Sequence, residues 1–108
     1  MIDANEINEI LTTYKKYGWE LRRVLLTAAL KSNVGETFAG VSVADSDIDA
    51  AWFSRPPQTG PIAWEIRHLS IAPYALLEHL DETDAEFEAT LRAVETRLRD
   101  AVAKKQSA

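Results

Sequence analysis

Asp45-Ser46-Asp47-Ile48-Asp49 is the run whose residue types and spacing come nearest to chemistry in this 108-residue chain. It leads into Ala50-Ala51-Trp52-Phe53, which reads as a strand. Carboxylates two residues apart on a strand project to the same side, so Asp47 and Asp49 are placed to grip one hard cation such as magnesium. The same residue types also favour turns, because Asp and Ser side chains bond nearby backbone groups. A calcium loop is excluded. Ala50 stands where such a loop needs glycine, and Pro56 where it needs a bidentate glutamate. His68 falls on the Trp64 and Ile66 side of its segment and reads as a core residue. His79 would approach Glu65 across a hairpin turning near Ala72, and a Glu–His pair can act as a base and its orienter. No His-x-x-x-His, His-Glu-x-x-His or Gly-x-Ser-x-Gly pattern occurs, and no glycines are spaced to cradle phosphate.

The aspartate run resembles the Ser-Asp-Ile-Asp signature of the nucleotidyltransferase superfamily, over Asp45 to Asp49 alone. The resemblance implies that Asp47 and Asp49 hold magnesium over a triphosphate, with Glu65 or Glu78 as a third carboxylate from a neighbouring strand. The Gly-Ser pair that precedes the aspartates in that family has no counterpart, since Gly40 is followed by Val41 and Gly35 by Glu36.

Binding residues come from the aromatics and arginines. Trp52 and Phe53 are consecutive in a strand and must point to opposite faces. If only one face is covered by helices, one of the two rings lies exposed as a binding hot spot. Arg22 and Arg67 share an expected outer sheet face that could hold an anion, although cross-strand ion pairs there are the simpler outcome.

The elements that position these residues follow from periodicity. Ile7, Ile10, Leu11 and Tyr14 share a helix face, with Asp3 and Glu6 to cap the start and Gly18 to end it. Trp19-Glu20-Leu21-Arg22-Arg23-Val24 is echoed by Trp64-Glu65-Ile66-Arg67-His68-Leu69, both alternating apolar with charged residues as strands do. Laid antiparallel with Leu21 opposite Ile66, the two copies match Glu20 with Arg67 and Arg22 with Glu65, whereas parallel pairing opposes like charges. Leu21, Val24, Leu25 and Ala28 also suit a helix, so residues 19–30 stay open between strand and helix. A short helical turn over Thr27–Asn33, extended segments over 41–44 and 48–54, and a strand over 74–79 complete the middle. Arg55–Pro61 is a proline-rich loop, and Pro73 breaks the chain again. The final helix has a Thr83/Glu86 capping box, a seam of Phe87, Leu91, Val94, Leu98 and Val102, and outward Glu88–Arg92 and Glu95–Arg99 pairs.

The expected fold is α+β: one domain over 1–108, built as a two-layer sandwich. An antiparallel sheet of three to four strands carries the N-terminal and C-terminal helices on one face. Trp19 and Trp64 would share the core side. The net charge of −5 argues against general nucleic-acid binding. Basic residues gather in the first third and acidic ones over 78–88, as solvated faces or as patches for self-association. There is no cysteine, no basic-then-apolar leader and no long apolar run, so a cytoplasmic location without membrane contact is the expectation. The absent catalytic constellation favours a non-enzymatic protein-interaction or self-association module, as a homodimer or with a protein partner and without a cofactor. The alternative is a magnesium-dependent nucleotidyltransferase-like domain.

Overall fold

A computed structural model describes residues 2–34, 36–56, 62–70 and 74–107, the last three as backbone only. The elements run α1 (Ala4–Lys16), β1 (Glu20–Leu26), α2 (Ala28–Val34), β2 (Ser42–Asp45), β3 (Ala50–Arg55), β4 (Ile62–His68), β5 (Ala75–Leu80) and α3 (Phe87–Ser107). Most of the expected proline loop, residues 57–61, and the expected break at Pro73 lie outside the described residues. Residues 19–30 divide into strand and short helix.

The five strands form one sheet in the order β2-β1-β3-β4-β5. β1 and β2 are parallel, and the remaining neighbours are antiparallel. The sheet is therefore mixed and five-stranded, in place of the antiparallel sheet of three to four strands. Parallel neighbours need a crossover, and α2 supplies it. Thr27 starts that helix by accepting the Leu30 amide on its hydroxyl at 3.3 Å.

Helices cover both faces, which corrects the two-layer expectation. Leu91, Val94 and Leu98 of α3 pack with Trp52, Trp64 and Ile66 on one face. Ile7 of α1 and Leu30 and Val34 of α2 pack with Val24, Ala51 and Phe53 on the other. The physical reason lies in β3. Ala50, Ala51, Trp52 and Phe53 are all buried, a strand apolar on both sides that needs cover above and below. Both large rings are thus core, and neither Trp52 nor Phe53 is the exposed hot spot expected of one of them.

The same strand separates the two repeats. β3 takes the centre and pairs with β1 on one edge and β4 on the other, so the repeats do not meet. Leu21 stands opposite Phe53 and faces α1, whereas Ile66 stands opposite Trp52 and faces α3. Trp19 accordingly packs on the α1 side and Trp64 in the α3 core, not on one shared face. The Glu20–Arg67 and Arg22–Glu65 matches do not form. In β1 the ladder steps from Leu21–Phe53 to Arg23–Trp52, leaving Arg22 as the extra residue of a bulge. Arg22 turns to the α3 side, 4.9 Å from the Trp64 ring centroid, and donates to Ser54 and Glu82 at 3.1 Å each.

Charges that read as outward on α3 also turn to the sheet. Glu88 accepts from Arg23 at 2.9 Å, Glu95 from Trp52 Nε1 at 2.8 Å, and Asp47 from Arg99 at 2.7 Å. The basic first third and the acidic stretch over 78–88 therefore meet inside one chain through Arg22–Glu82 and Arg23–Glu88. The Thr83/Glu86 capping box is replaced by two Asx turns. Asp81 holds the Thr83 amide and Asp84 the Glu86 amide, both at 2.9 Å, before the helix opens at Phe87. No helix among the described residues is long and apolar enough to cross a membrane.

Candidate functional site

The C-terminus of α1 builds one wall of a hollow lined by aromatic and apolar side chains. Gly18 adopts φ of 87°, open to glycine at little cost, and ends the helix in a Schellman motif. Its amide reaches the Lys15 carbonyl at 3.0 Å, and the Trp19 amide reaches that of Tyr14 at 2.9 Å. This closure sets Trp19 edge-on to Tyr14, with ring centroids 6.1 Å apart. Arg55 lies over the Trp19 ring at 4.8 Å and donates to the Tyr17 carbonyl at 3.3 Å.

The floor is the α1-facing side of β4 and β5. Alternation places Ala63, Glu65 and Arg67 of β4 and Leu77 and His79 of β5 on this side. The resulting trough encloses about 560 Å³ and is lined by Tyr14, Tyr17, Trp19, Arg55, Glu65, Leu77 and His79 among others. That volume lies within the range of ligand pockets. A smaller hollow of about 340 Å³ continues it past Tyr14 to Arg67 and Ser70. Tyr17 and Leu77, the two large apolar side chains most exposed among the described residues, at 62% and 51%, both line the trough.

Tyr14 is the hinge of the site. Its ring stacks on Phe53 at 4.0 Å, and its hydroxyl donates a short hydrogen bond to the Glu65 carboxylate. Burial first, and then the bond and charge of Glu65, push the phenol well above the ordinary tyrosine range, with Arg67 opposing. The phenol is thus held as a donor at neutral pH. The protonated form is the one the fold favours. Its contribution is complete below about pH 10 and is lost as pH rises past that value toward the folded-state pKa. An absorbance titration of Tyr14→Phe is expected to overlay the wild-type phenolate curve up to about pH 11, because Tyr14 does not ionise there. A loss of phenolate signal in the variant below that pH would contradict the assignment.

Of the residues singled out by sequence, Glu65 and His79 do share this floor. The hairpin register places His79 opposite Ala63 and Glu65 opposite Leu77, so the two are diagonal neighbours instead of directly opposed. Arg67 lines the smaller hollow, but Arg22 belongs to the opposite face, and a shared Arg22/Arg67 anion face does not exist. Asp47 and Asp49 part company as well. Asp47 reaches Arg99 on the α3 side, and that guanidinium holds its carboxyl below the usual range. Asp49 accepts the Thr27 amide at 2.7 Å and the Thr27 hydroxyl at 3.3 Å at the start of α2, on the other side. The two precede β3 in a turn and do not lie on the strand, so the same-side rule never applies to them. The two carboxylates are engaged by different partners and do not converge on one cation position in this arrangement. No group of three or more acidic or histidine side chains fit for a metal occurs among the described residues.

Sequence reasoning passed over Tyr14, Tyr17, Trp19 and Leu77. A signal was there: Tyr14, Tyr17 and Trp19 crowd three aromatics into the end of α1 and the turn after it. A second groove, about 550 Å³ between α3 and β1–β2, is lined by Arg22, Arg23, Arg92 and Arg99. Three of them, Arg22, Arg23 and Arg99, already pair with Glu82, Glu88 and Asp47. Their charge is matched within the chain. In comparisons with known proteins, the chain matches no family model, no curated protein and no solved structure.

Proposed function

We propose that this domain is a non-catalytic binding module whose working surface is the trough between α1 and the β4–β5 hairpin. One observation carries the reading: Tyr17 and Leu77, the large apolar side chains most open to water among the described residues, lie in the same hollow. Exposed apolar area concentrated in a concave, polar-rimmed patch is the signature of a docking surface. The polar groups suit recognition better than reaction. Glu65 is engaged by a phenol that stays protonated, and Arg55 is laid flat on Trp19. The partner that fits is a protein segment with an apolar side chain for the Tyr17–Leu77 space and a hydrogen-bonding group for Arg55 or His79.

The test is selection of random displayed peptides on the wild-type domain, followed by affinity measurement on Tyr17→Ala and Leu77→Ser. Both positions are exposed, so neither substitution opens a cavity in the core. Selected peptides are expected to lose at least about tenfold in affinity on each variant, as truncation of a contact residue does. Peptides that bind both variants as tightly as wild type would move the surface elsewhere and overturn the proposal.

A further inference from the structure

We infer that the outer edge of β5 pairs with the same edge of a second copy of this chain, in an antiparallel register centred on Leu77. The inference rests on the reading of the β4–β5 face as a binding surface and names one occupant for its margin.

β5 is an edge strand, and no described element pairs with its outer side. The other edge, β2, is only four residues long. Natural edges are usually guarded by lysine, proline, a bulge or an unpaired charge. β5, Ala75-Leu76-Leu77-Glu78-His79-Leu80, has no lysine or proline, and its glutamate is already paired with Arg97 at 2.7 Å. Leu77 remains half exposed on it.

The backbone decides the register. The His68 amide donates to the Tyr74 carbonyl at 2.9 Å, and in the hairpin register these residues stand opposite each other. Hydrogen-bonded positions alternate in an antiparallel pair, so Leu76, Glu78 and Leu80 turn their backbone groups to β4. β4 agrees: the Leu69 amide donates to Asp49 at 2.8 Å, which assigns the odd-numbered residues of β4 to β3 and the even ones to β5. The N–H and C=O groups of Ala75, Leu77 and His79 therefore point outward.

A two-fold axis normal to the sheet must pair residues of the same face, so only registers centred on a residue are open. Centred on Leu77, the copies form three reciprocal pairs within the strand: Ala75 with His79, Leu77 with Leu77, and His79 with Ala75. Each pair exchanges two hydrogen bonds. Centred on Leu76 or Glu78, only two such pairs remain within the strand, and the latter also sets glutamate against glutamate. The Leu77 register places Glu78 opposite Leu76 and buries the two exposed leucines against each other. It also brings the two Arg97–Glu78 pairs together on the α3 side, where each guanidinium can serve both carboxylates. Charge, hydrogen bonding and apolar exposure thus select the same self-complementary register. A strand-to-strand contact of this length buries less than the roughly 1,200–2,000 Å² of a standard interface, so the dimer is expected to be weak.

Sedimentation of the full chain from about 10 µM to about 1 mM, with amide exchange at both ends of that range, tests the inference. The expected result is a rise toward twice the monomer mass, with exchange at Ala75, Leu77 and His79 slowed by about fivefold or more on concentration. Amides of Leu76 and Glu78 stay protected throughout. Leu77→Lys is expected to remain monomeric, and Tyr17→Ala, away from the edge, to dimerise as wild type. A chain that is monomeric at every concentration, or a dimer whose outward amides gain no protection, would overturn the pairing. Neither result would touch the trough, because the loss of peptide affinity on Tyr17→Ala tests that separately.

Discussion

Trp52→Ala is expected to cost about 3–5 kcal/mol, a large share of the roughly 5–15 kcal/mol that holds a domain of this kind together. Trp52 is fully buried at the centre of the α3-side core, edge-on to Trp64 with centroids 6.2 Å apart. Its removal leaves a cavity walled by rigid β3 backbone on one side and α3 on the other. A comparison of Trp52→Phe with Trp64→Phe sharpens the point. Trp52 Nε1 donates to Glu95 at 2.8 Å, and its loss strands a partly buried carboxylate at about 1–3 kcal/mol. Trp64 Nε1 is buried with no hydrogen-bond partner among the described residues. Trp64→Phe therefore removes a standing cost along with the volume, and the milder loss is expected there. Denaturant unfolding of both variants settles it. A Trp64→Phe loss equal to or above that of Trp52→Phe would contradict the hydrogen-bond assignment.

Asp49→Ala is expected to destabilise by about 1–3 kcal/mol, because Asp49 ties three elements together. Its carboxylate takes the amide and hydroxyl of Thr27, where β1 ends and α2 begins, and its carbonyl takes the Leu69 amide just beyond β4. The substitution leaves the Thr27 amide without its acceptor and loosens the start of the crossover. Asp47→Ala, which removes exposed contacts with Arg99 and the Ser46 hydroxyl, is expected to leave the unfolding midpoint near that of wild type. Millimolar magnesium is expected to shift neither the midpoint of wild type nor that of either variant. Equal losses from the two substitutions, or a magnesium-dependent midpoint abolished by both, would restore a shared role for the pair.

Much of the local structure was legible because it is written in neighbouring residues. The Asp3/Glu6 capping box forms as expected, with the Glu6 amide 2.8 Å from Asp3, and Gly18 closes α1 where its freedom is needed. The apolar seam from Phe87 to Leu98 packs on its own sheet. The candidate site was legible only in pieces. Glu65, His79 and Arg67 were singled out and do lie on one floor, because alternation on β4 and β5 survives any even shift of register. The aromatic wall was missed, since Tyr14 and Trp19 read as plain core positions until α1 was placed.

Sequence by itself determined which residues turn, which alternate and where helices begin, because caps, glycines and periodicity act over a few residues. Tertiary structure alone decided which strands are neighbours. The two repeats are complementary in charge, yet the central place between them goes to β3, whose four consecutive buried apolar residues gain more from cover on both faces than surface ion pairs could return. That one choice sends α3 to one face and α1 with α2 to the other, buries Trp52 and Phe53, turns Arg22 and Arg67 apart, and leaves β5 as the open edge. Burial of apolar area is a sum over the whole sheet, and no local window of the chain contains it.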